Sequence, residues 1–322
     1  MSIQKTINRA DADCLTQGRM GKMRNMADAA FGGKHESKSE FRYTNRFVCF
    51  LDILGWKSTI FDSIHDDKSL EKVARVVDLF REVEKDYLPS HWRSEFLFMI
   101  KDHIKVAHEE NIDVEMSLFS DSIIVSYGVQ ETTRFVDWYR QFSQVLNDLC
   151  RLQFHFAAEG VFFRGGLSYG GLYHDGNICF GPSLIKAVNL EGKVARYPCI
   201  AVDDDIAGRI TRDLRSDEID DYAAVYKMPL ELKNCARDLC LMYLNRQVDE
   251  KDSGVHGAVF IDYLLSAFKK NPNNVERVKP AIEKAIMETT DPDVLRKYMW
   301  LRDYFNDTLN FRSGYDRFCI TI

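Results

Sequence analysis

Two aspartates draw attention because each lies in sequence that is otherwise largely apolar. Asp52 is the acid of FVCFLDILGW (47–56), and Asp121 is the acid of LFSDSIIV (118–125). A buried carboxylate without a partner costs several kcal/mol, so something has to compensate for it. Carboxylates that end neighbouring strands converge and repel unless a cation lies between them. Mg²⁺ typically binds by one or two carboxylates plus substrate phosphates, so the pair predicts a metal–nucleotide site. The alternative is a turn residue at Asp121 and a strand-end cap at Asp52.

A glycine-rich run surrounds Arg164 in FRGGLSYGG (163–171). Glycines in a strand indicate a bulge or the close approach of another chain or a ligand. The run is not a P-loop, because GxxxxGK[ST] is absent. The alternative is plain sheet packing, with a surface ion pair for Arg164. Further along, Lys186, Lys193 and Arg196 could reach a triphosphate, although scattered basic residues usually form a solvated face.

The elements that must position these residues form a pattern in which strands follow strands. We predict a strand over 46–52, a helix over 69–88, a hairpin over 113–128 turning at Ser120-Asp121, a helix over 131–152, two short strands over 161–181, a helix over 182–191 ending at Gly192, and a strand over 198–203. Residues 89–110 are expected to be helical, and the pattern beyond 205 is mostly helical, most clearly at 277–287 and 294–309. This order argues against a doubly wound parallel sheet. It predicts an α+β palm with a mixed or antiparallel sheet flanked by helices.

The composition sets limits on the possible functions. The 322 residues are 45% hydrophobic with a net charge of −6, so a sizeable core can form and a broad nucleic-acid surface is not expected. We divide the chain into a flexible arm (1–44), a catalytic domain (45–204) and a mostly helical region (205–322). No apolar run approaches the ~20 residues of a membrane span, and the N-terminus lacks a signal-peptide core, so a cytoplasmic protein is expected. The 8 cysteines and 8 histidines are scattered, which favours reduced, buried thiols over a zinc site.

Four short motifs occur in an order that resembles a known enzyme family. FLDILGW, LFSDSIIV, RGGLSYG and FGPSLIKAVNLEG together resemble the catalytic domain of class III nucleotide cyclases over about residues 46–203. D-I-L-G, F-S-D-S, R-G-G and F-G-P…A…L-E look closer to the pyrimidine (cytidylate and uridylate) cyclases of bacterial anti-phage signalling. DSGVHGAVFIDYL (252–264) and KYMWLRDYFN (297–306) also look like the helical C-terminal region of that subfamily.

The resemblance implies roles for particular residues. Asp52, Asp121 and the main-chain carbonyl of Ile53 match ligands of two Mg²⁺ or Mn²⁺ ions per active site. Arg164 matches the arginine of the glycine-rich strand. Two protomers of such an enzyme pair head to tail and complete the sites at their interface, so a homodimer is implied.

The chain departs from the family pattern in the helix that follows the glycine-rich strand. The transition-state Asn and Arg of that pattern fall at Ile185 and Asn189. The usual arginine is therefore missing at its place, and another cation has to do its work. Arg164, Lys186 and Arg196 are the candidates.

The base-selecting positions also differ. The purine-selecting residues of the pattern fall at Ser117 and about Ile178, and neither can read a purine edge in the usual way. Alternation along a strand should place Ser117 on the same side of the sheet as Asp121. The implied reaction converts CTP to cyclic CMP, or otherwise UTP to cyclic UMP, with loss of pyrophosphate, and a separate cyclic-nucleotide-activated effector would read the product. A purine cyclase and an inactive, cyclase-like nucleotide-binding dimer are the alternatives.

Overall fold

A computed structural model describes residues 42–86, 113–129, 135–213, 244–246, 259–311 and 313–322. Most of the arm expected over 1–44 and the helix expected over 89–110 lie outside these ranges. The described strands are β1 (Thr44–Ile53), β2 (Val114–Phe119), β3 (Ser122–Gly128), β4 (Phe163–Asp175), β5 (Ile178–Phe180), β6 (Ile200–Val202), β7 (Leu244–Arg246) and β8 (Val259–Ile261). The described helices are α1 (Trp56–Asp62), α2 (Asp67–Asp86), α3 (Phe135–Ala158), α4 (Pro182–Lys193), α5 (Asp204–Asp213), α6 (Tyr263–Lys270), α7 (Asn274–Glu288) and α8 (Pro292–Thr308).

Seven of these strands form a mixed sheet in the order β2-β3-β1-β4-β6-β8-β7, and β5 pairs with the end of β4 outside this path. Only the β4–β6 pair is parallel among the described pairs, and the others are antiparallel. The predicted α+β class, with a mixed sheet flanked by helices and a helical C-terminal region, is confirmed.

Three details differ from the sequence prediction. The first strand predicted over 161–181 is long, because β4 pairs with β1 from Phe163 to Leu172. The helix over 182–191 begins at Pro182 as predicted but does not end at Gly192: the N–H of Val194 still donates to the Leu190 carbonyl, so Gly192 lies in the last helical turn. The short strands β7 and β8 come from the region predicted to be mostly helical.

The two faces of the sheet differ because side chains alternate along β1. One set joins the main hydrophobic core: Phe47, Cys49, Leu51 and Ile53. The other face packs against α4, where Val48, Leu172 and Ala187 form a smaller core. We call this second face the α4 face. Asp52 shares the parity of Val48 and therefore belongs to the α4 face.

The glycines after Arg164 allow close packing on both faces of β4. A Cβ at Gly166 would lie 2.3 Å from the carbonyl oxygen of Ala187 in α4. A Cβ at Gly165 would lie 2.5 Å from the carbonyl oxygen of Phe50 in β1. No side chain fits into either space, so these positions require glycine. The close approach of α4 to β4 is what brings the end of this helix to Arg164.

The described cysteines are free thiols, as predicted. Cys49, Cys150 and Cys199 are buried, and Cys179 and Cys319 are partly buried. Burial raises the pKa of the Cys199 thiol to about 12, so it stays protonated at neutral pH. Cys14, Cys235 and Cys240 lie outside the described residues. None of the described helices is long and apolar enough to span a membrane.

Candidate functional site

Asp52 and Asp121 lie at the same end of the sheet. Asp52 pairs with Ser122, the residue that follows Asp121, and the N–H of Ile53 donates a 3.0 Å hydrogen bond to the carbonyl oxygen of Asp121. The turn between β2 and β3 lies at Ser120 and Asp121, as predicted. Ser120 has a φ of 56°, the left-handed conformation that a tight turn demands. The two carboxyl groups are close enough for the charge of Asp121 to act on Asp52.

Arg164 links Asp52 to α4. It stands opposite Asp52 in the β1–β4 register, and its Nε donates a 3.1 Å hydrogen bond to Asp52 Oδ2. Its Nη2 lies 2.7 Å from Glu191 Oε1, a charge contact that lacks hydrogen-bond geometry. The three side chains are 27%, 21% and 10% exposed, respectively, so this ion-pair group is largely shielded from water. The guanidinium therefore supplies the compensation that the Asp52 carboxylate needs.

Five charged side chains share this end of the sheet, and we call them the sheet-end cluster: Asp52, Asp121, Arg164, Glu191 and Lys297. Burial is the main cause that raises the pKa of Asp52, and the charge of Asp121 adds to it. The hydrogen bond and charge of Arg164 lower the pKa of Asp52, and so does the charge of Lys297. Burial also raises the pKa of Glu191, again opposed by Arg164 and Lys297. Three carboxyl groups and two cations therefore interact here.

The donor set of this cluster fits a hard divalent cation bound partly by a substrate. Within the described ranges, no three or more His, Cys, Asp or Glu side chains are grouped to hold a metal ion. Two carboxylates are nevertheless enough for Mg²⁺ when phosphates supply the remaining oxygens. Asp52 and Asp121 are the side chains that could serve, and Ile53 adds a main-chain carbonyl to the same stretch.

A second polar network occupies the α4 face, where the end of β4 reaches β2 and β3. Arg46 Nε donates a 2.8 Å hydrogen bond to Ser126 Oγ. Ser126 Oγ lies 2.7 Å from His174 Nδ1, and His174 Nε2 lies 2.7 Å from Ser117 Oγ. Ser117 Oγ in turn donates a 2.7 Å hydrogen bond to the carbonyl oxygen of Gly176. The network thus joins the end of β4 and the turn after it to β1, β2 and β3.

The hydrogen bonds of this network all run in one direction. Guanidinium groups only donate and carbonyl oxygens only accept, so both ends are fixed. Burial, followed by the charge of Arg46, lowers the pKa of His174 to about 4, so its ring is neutral at neutral pH. Because Ser117 gives its proton to Gly176, His174 must donate from Nε2, and its bare Nδ1 must accept from Ser126. The tautomer of His174 follows from its neighbours.

The predicted base-selecting residues lie on and beside this network. Ser117 is buried and pairs with Ile124, which in turn pairs with Phe50. Phe50 and Asp52 share a parity in β1, so Ser117 lies on the same face as Asp52. Ile178 is in β5, two residues beyond Gly176, with 57% of its surface exposed.

The predicted basic and polar residues around α4 do not join the sheet-end cluster. The buried positions of α4 are Ser183, Ala187 and Glu191, whereas Ile185, Lys186 and Asn189 are exposed. Lys186 Nζ lies 2.6 Å from Asp205 Oδ2 and 3.6 Å from Asp203 Oδ2. Arg196 is likewise exposed.

Glu191 and Lys297 were not predicted as site residues. Glu191 carries a signal that could have identified it, because it closes the L-E pair of the helix motif and continues the buried stripe of Ser183 and Ala187. Lys297 lies in α8, far along the chain, and its local sequence gives no sign of where its side chain lies.

No family model matches the chain, and a comparison with curated proteins found no match. Among solved structures, the chain is similar to the crystal structure of the adenylyl cyclase CyaB from P. aeruginosa, with 12% sequence identity and a TM-score of 0.32. The similarity covers 69% of this chain and 94% of that chain.

Proposed function

We propose that the protein is a nucleotide cyclase, a phosphorus–oxygen lyase, that converts a pyrimidine nucleoside triphosphate into its 3′,5′-cyclic monophosphate and pyrophosphate. The observation that carries the proposal is the convergence of Asp52 and Asp121 at one end of the sheet, inside cyclase-like motifs. We favour CTP as the substrate, with UTP second. The cyclic product would be a second messenger in anti-phage defence, read by a separate effector.

Asp52 and Asp121 would hold the divalent cations, and the chain's other groups would orient them. The chemistry that Mg²⁺ or Mn²⁺ would supply when bound there is a lower pKa of the ribose 3′-hydroxyl and neutralisation of charge on the leaving group. The 3′-oxygen loses its proton to solvent and bonds to the α-phosphorus as the bond to pyrophosphate breaks. Arg164 keeps the Asp52 carboxylate in one orientation through its 3.1 Å hydrogen bond. Catalysis would rest mainly on positioning and electrostatics.

The direction of the hydrogen bonds at Ser117 supports CTP. The Ser117 hydroxyl donates its hydrogen bond to the carbonyl oxygen of Gly176, and one of its two lone pairs accepts the hydrogen bond from His174 Nε2. Ser117 can then meet a base only as an acceptor. The exocyclic amino group of cytosine would find a partner there, whereas the corresponding carbonyl of uracil would face another acceptor. A mismatch of this kind in a buried site is strongly selective.

A homodimer would bring the exposed residues of α4 to the acids of a second copy. Asn189 and Lys186 are exposed on α4, away from the buried side that carries Glu191. Several large apolar side chains on the α4 face and its neighbouring elements are also exposed: Phe119, Ile178, Phe180, Ile185 and Val188. A two-fold interface that covers them should bury more than about 1,200 Å² in total.

The decisive experiment is a competition assay with the four nucleoside triphosphates and Mn²⁺, with products separated by mass. One pyrimidine triphosphate should exceed ATP and GTP by about tenfold or more in kcat/KM, which corresponds to about 1.4 kcal/mol. Asp121→Asn is the control for contaminating activity. A dominant cyclic purine product would overturn the base assignment alone, and the absence of any cyclic product would overturn the function.

A further inference from the structure

Lys297 lies in α8, whose first half packs against the end of β1. The hydroxyl of Tyr298, the next residue, is 4.0 Å from the position that a Cβ at Gly55 would take. The Tyr298 ring centroid is 5.7 Å from that of Phe162. Gly55 follows Asp52 by three residues, and Phe162 precedes Arg164 by two. The helix therefore adjoins the backbone on both sides of the sheet-end cluster.

The start of α8 is fixed firmly enough to present a side chain at a defined place. Asp291 caps the helix by accepting hydrogen bonds from the N–H groups of Asp293 and Val294. Trp300 stacks on Tyr197 with ring centroids 5.0 Å apart and planes 8° from parallel. These contacts hold α8 against the loop after α4, so the position of Lys297 does not depend on its own side chain.

Unlike Lys186, Lys279 and Lys284, Lys297 has no ion-pair partner among the residues that the structure describes. Lys279 and Lys284 pair with glutamates one turn further along α7, and Lys186 pairs with two aspartates. Lys297 is partly buried, and no hydrogen bond or ion pair of its ammonium occurs within the described part of the chain. Its charge nevertheless reaches Asp52 and Glu191, which Arg164 already engages. Lys297 is therefore a cation near Asp52 and Glu191 that can bind an anion.

We infer that Lys297 binds the phosphate chain of the nucleotide at the sheet-end cluster and stabilises the charge that develops on the leaving pyrophosphate. The inference rests on the proposed function and extends it, because it gives the C-terminal region a part in the active site. Arg164 is held by two carboxylates, and the usual helix arginine is replaced by Asn189. Among the described residues of the sheet-end cluster, Lys297 is the cation that no carboxylate engages in an ion pair. A positive charge aimed at a developing anion is worth most in a shielded site.

The test compares Lys297→Met with Arg296→Met. Arg296 is the preceding residue, is largely exposed, and pairs with Asp293 in the same helix. Both changes remove one positive charge from α8, so a general effect of charge would be equal in the two variants. We expect Lys297→Met to lower kcat/KM for the preferred triphosphate by about tenfold or more, and Arg296→Met by less than about twofold. Lys297→Arg should recover part of the activity.

Binding of Mn²⁺–pyrophosphate, measured by calorimetry, gives a readout that needs no turnover. Lys297→Met should weaken this binding by about tenfold, and Arg296→Met should leave it unchanged. Equal behaviour of the two variants, or no binding to the wild-type protein, would overturn the inference. A wild-type protein without cyclase activity whose pyrophosphate binding still depends on Lys297 would refute the proposed function alone. If Lys297→Met does not fold, Lys297→Gln replaces it in the same comparison.

Discussion

The packing of α4 on β4 makes a quantitative prediction for Gly166→Ala. The new Cβ would lie 2.3 Å from the Ala187 carbonyl oxygen and 2.5 Å from Leu190 Cβ, whereas ordinary contact begins near 3.4 Å. Neither atom is the far end of a flexible side chain, so the whole helix has to move by about 1 Å. Overpacking of this kind costs about 1–3 kcal/mol of the free energy of unfolding.

The same movement should disturb the sheet-end cluster. Glu191 Oε1 lies 2.7 Å from Arg164 Nη2, and a shift of about 1 Å would lengthen that contact toward the limit of an ion pair. Gly166→Ala should therefore reduce activity as well as stability, even though residue 166 carries no chemical group.

Gly192→Ala is the matched control, because it adds the same methyl group to α4 itself. No atom lies within 4 Å of a Cβ at Gly192, and the backbone there is helical. This change should raise the free energy of unfolding by about 0.5–1 kcal/mol. Urea unfolding followed by circular dichroism, with unchanged m-values, measures both variants. If Gly166→Ala were as stable as the wild type, the close approach of α4 to β4 would be refuted.

Three further predictions address the acids, the polar network and the second copy. Asp52→Asn and Asp121→Asn should each abolish the cyclic product. The melting temperature should change little, since Arg164 keeps its contact with Glu191 in α4. Activity in either variant contradicts the assignment of these acids as metal ligands. The free energy of unfolding should fall as the pH drops from about 6.5 to about 4, because His174 gains a proton in the unfolded state but not in the folded state. A His174→Asn variant whose free energy of unfolding has the same pH dependence contradicts this. Ile185→Asp should convert a dimer to a monomer in light scattering, and an unchanged mass would remove the proposed interface.

The sequence predicted the features whose causes are local. The hairpin turn at Asp121 and the strand that ends at Asp52 follow from runs of β-branched and apolar residues interrupted by polar ones. The α+β class follows from the order of such runs. The location of Asp52 and Asp121 at one end of the sheet follows from the predicted hairpin turn and the predicted end of the first strand.

The sequence could not predict partners that are distant along the chain. Ser117 and His174 are separated by 57 positions, and only the course of β4 brings them to 2.7 Å. Lys297 is positioned by the aromatic packing of α8. The strands β7 and β8 have three residues each, too few for a period to be recognised. Glycine is typical of a helix C-terminus, which is why a helix end was predicted at Gly192. The helix continues beyond it because the N–H groups of Val194 and Ala195 donate to the Leu190 carbonyl.

The pairing of β6 with β8 bears on how the chain can be divided. Residues 43–322 form one compact unit, and the inner strand β6 has β4 on one side and β8 on the other. A polypeptide cut near residue 204 would keep the four motifs but lose β8, whose Phe260 pairs with Ala201 of β6. An apolar edge strand of this kind is a template for aggregation. We therefore expect a segment that ends near residue 204 to misassemble, and activity should be measured on a polypeptide that keeps residues 43–322.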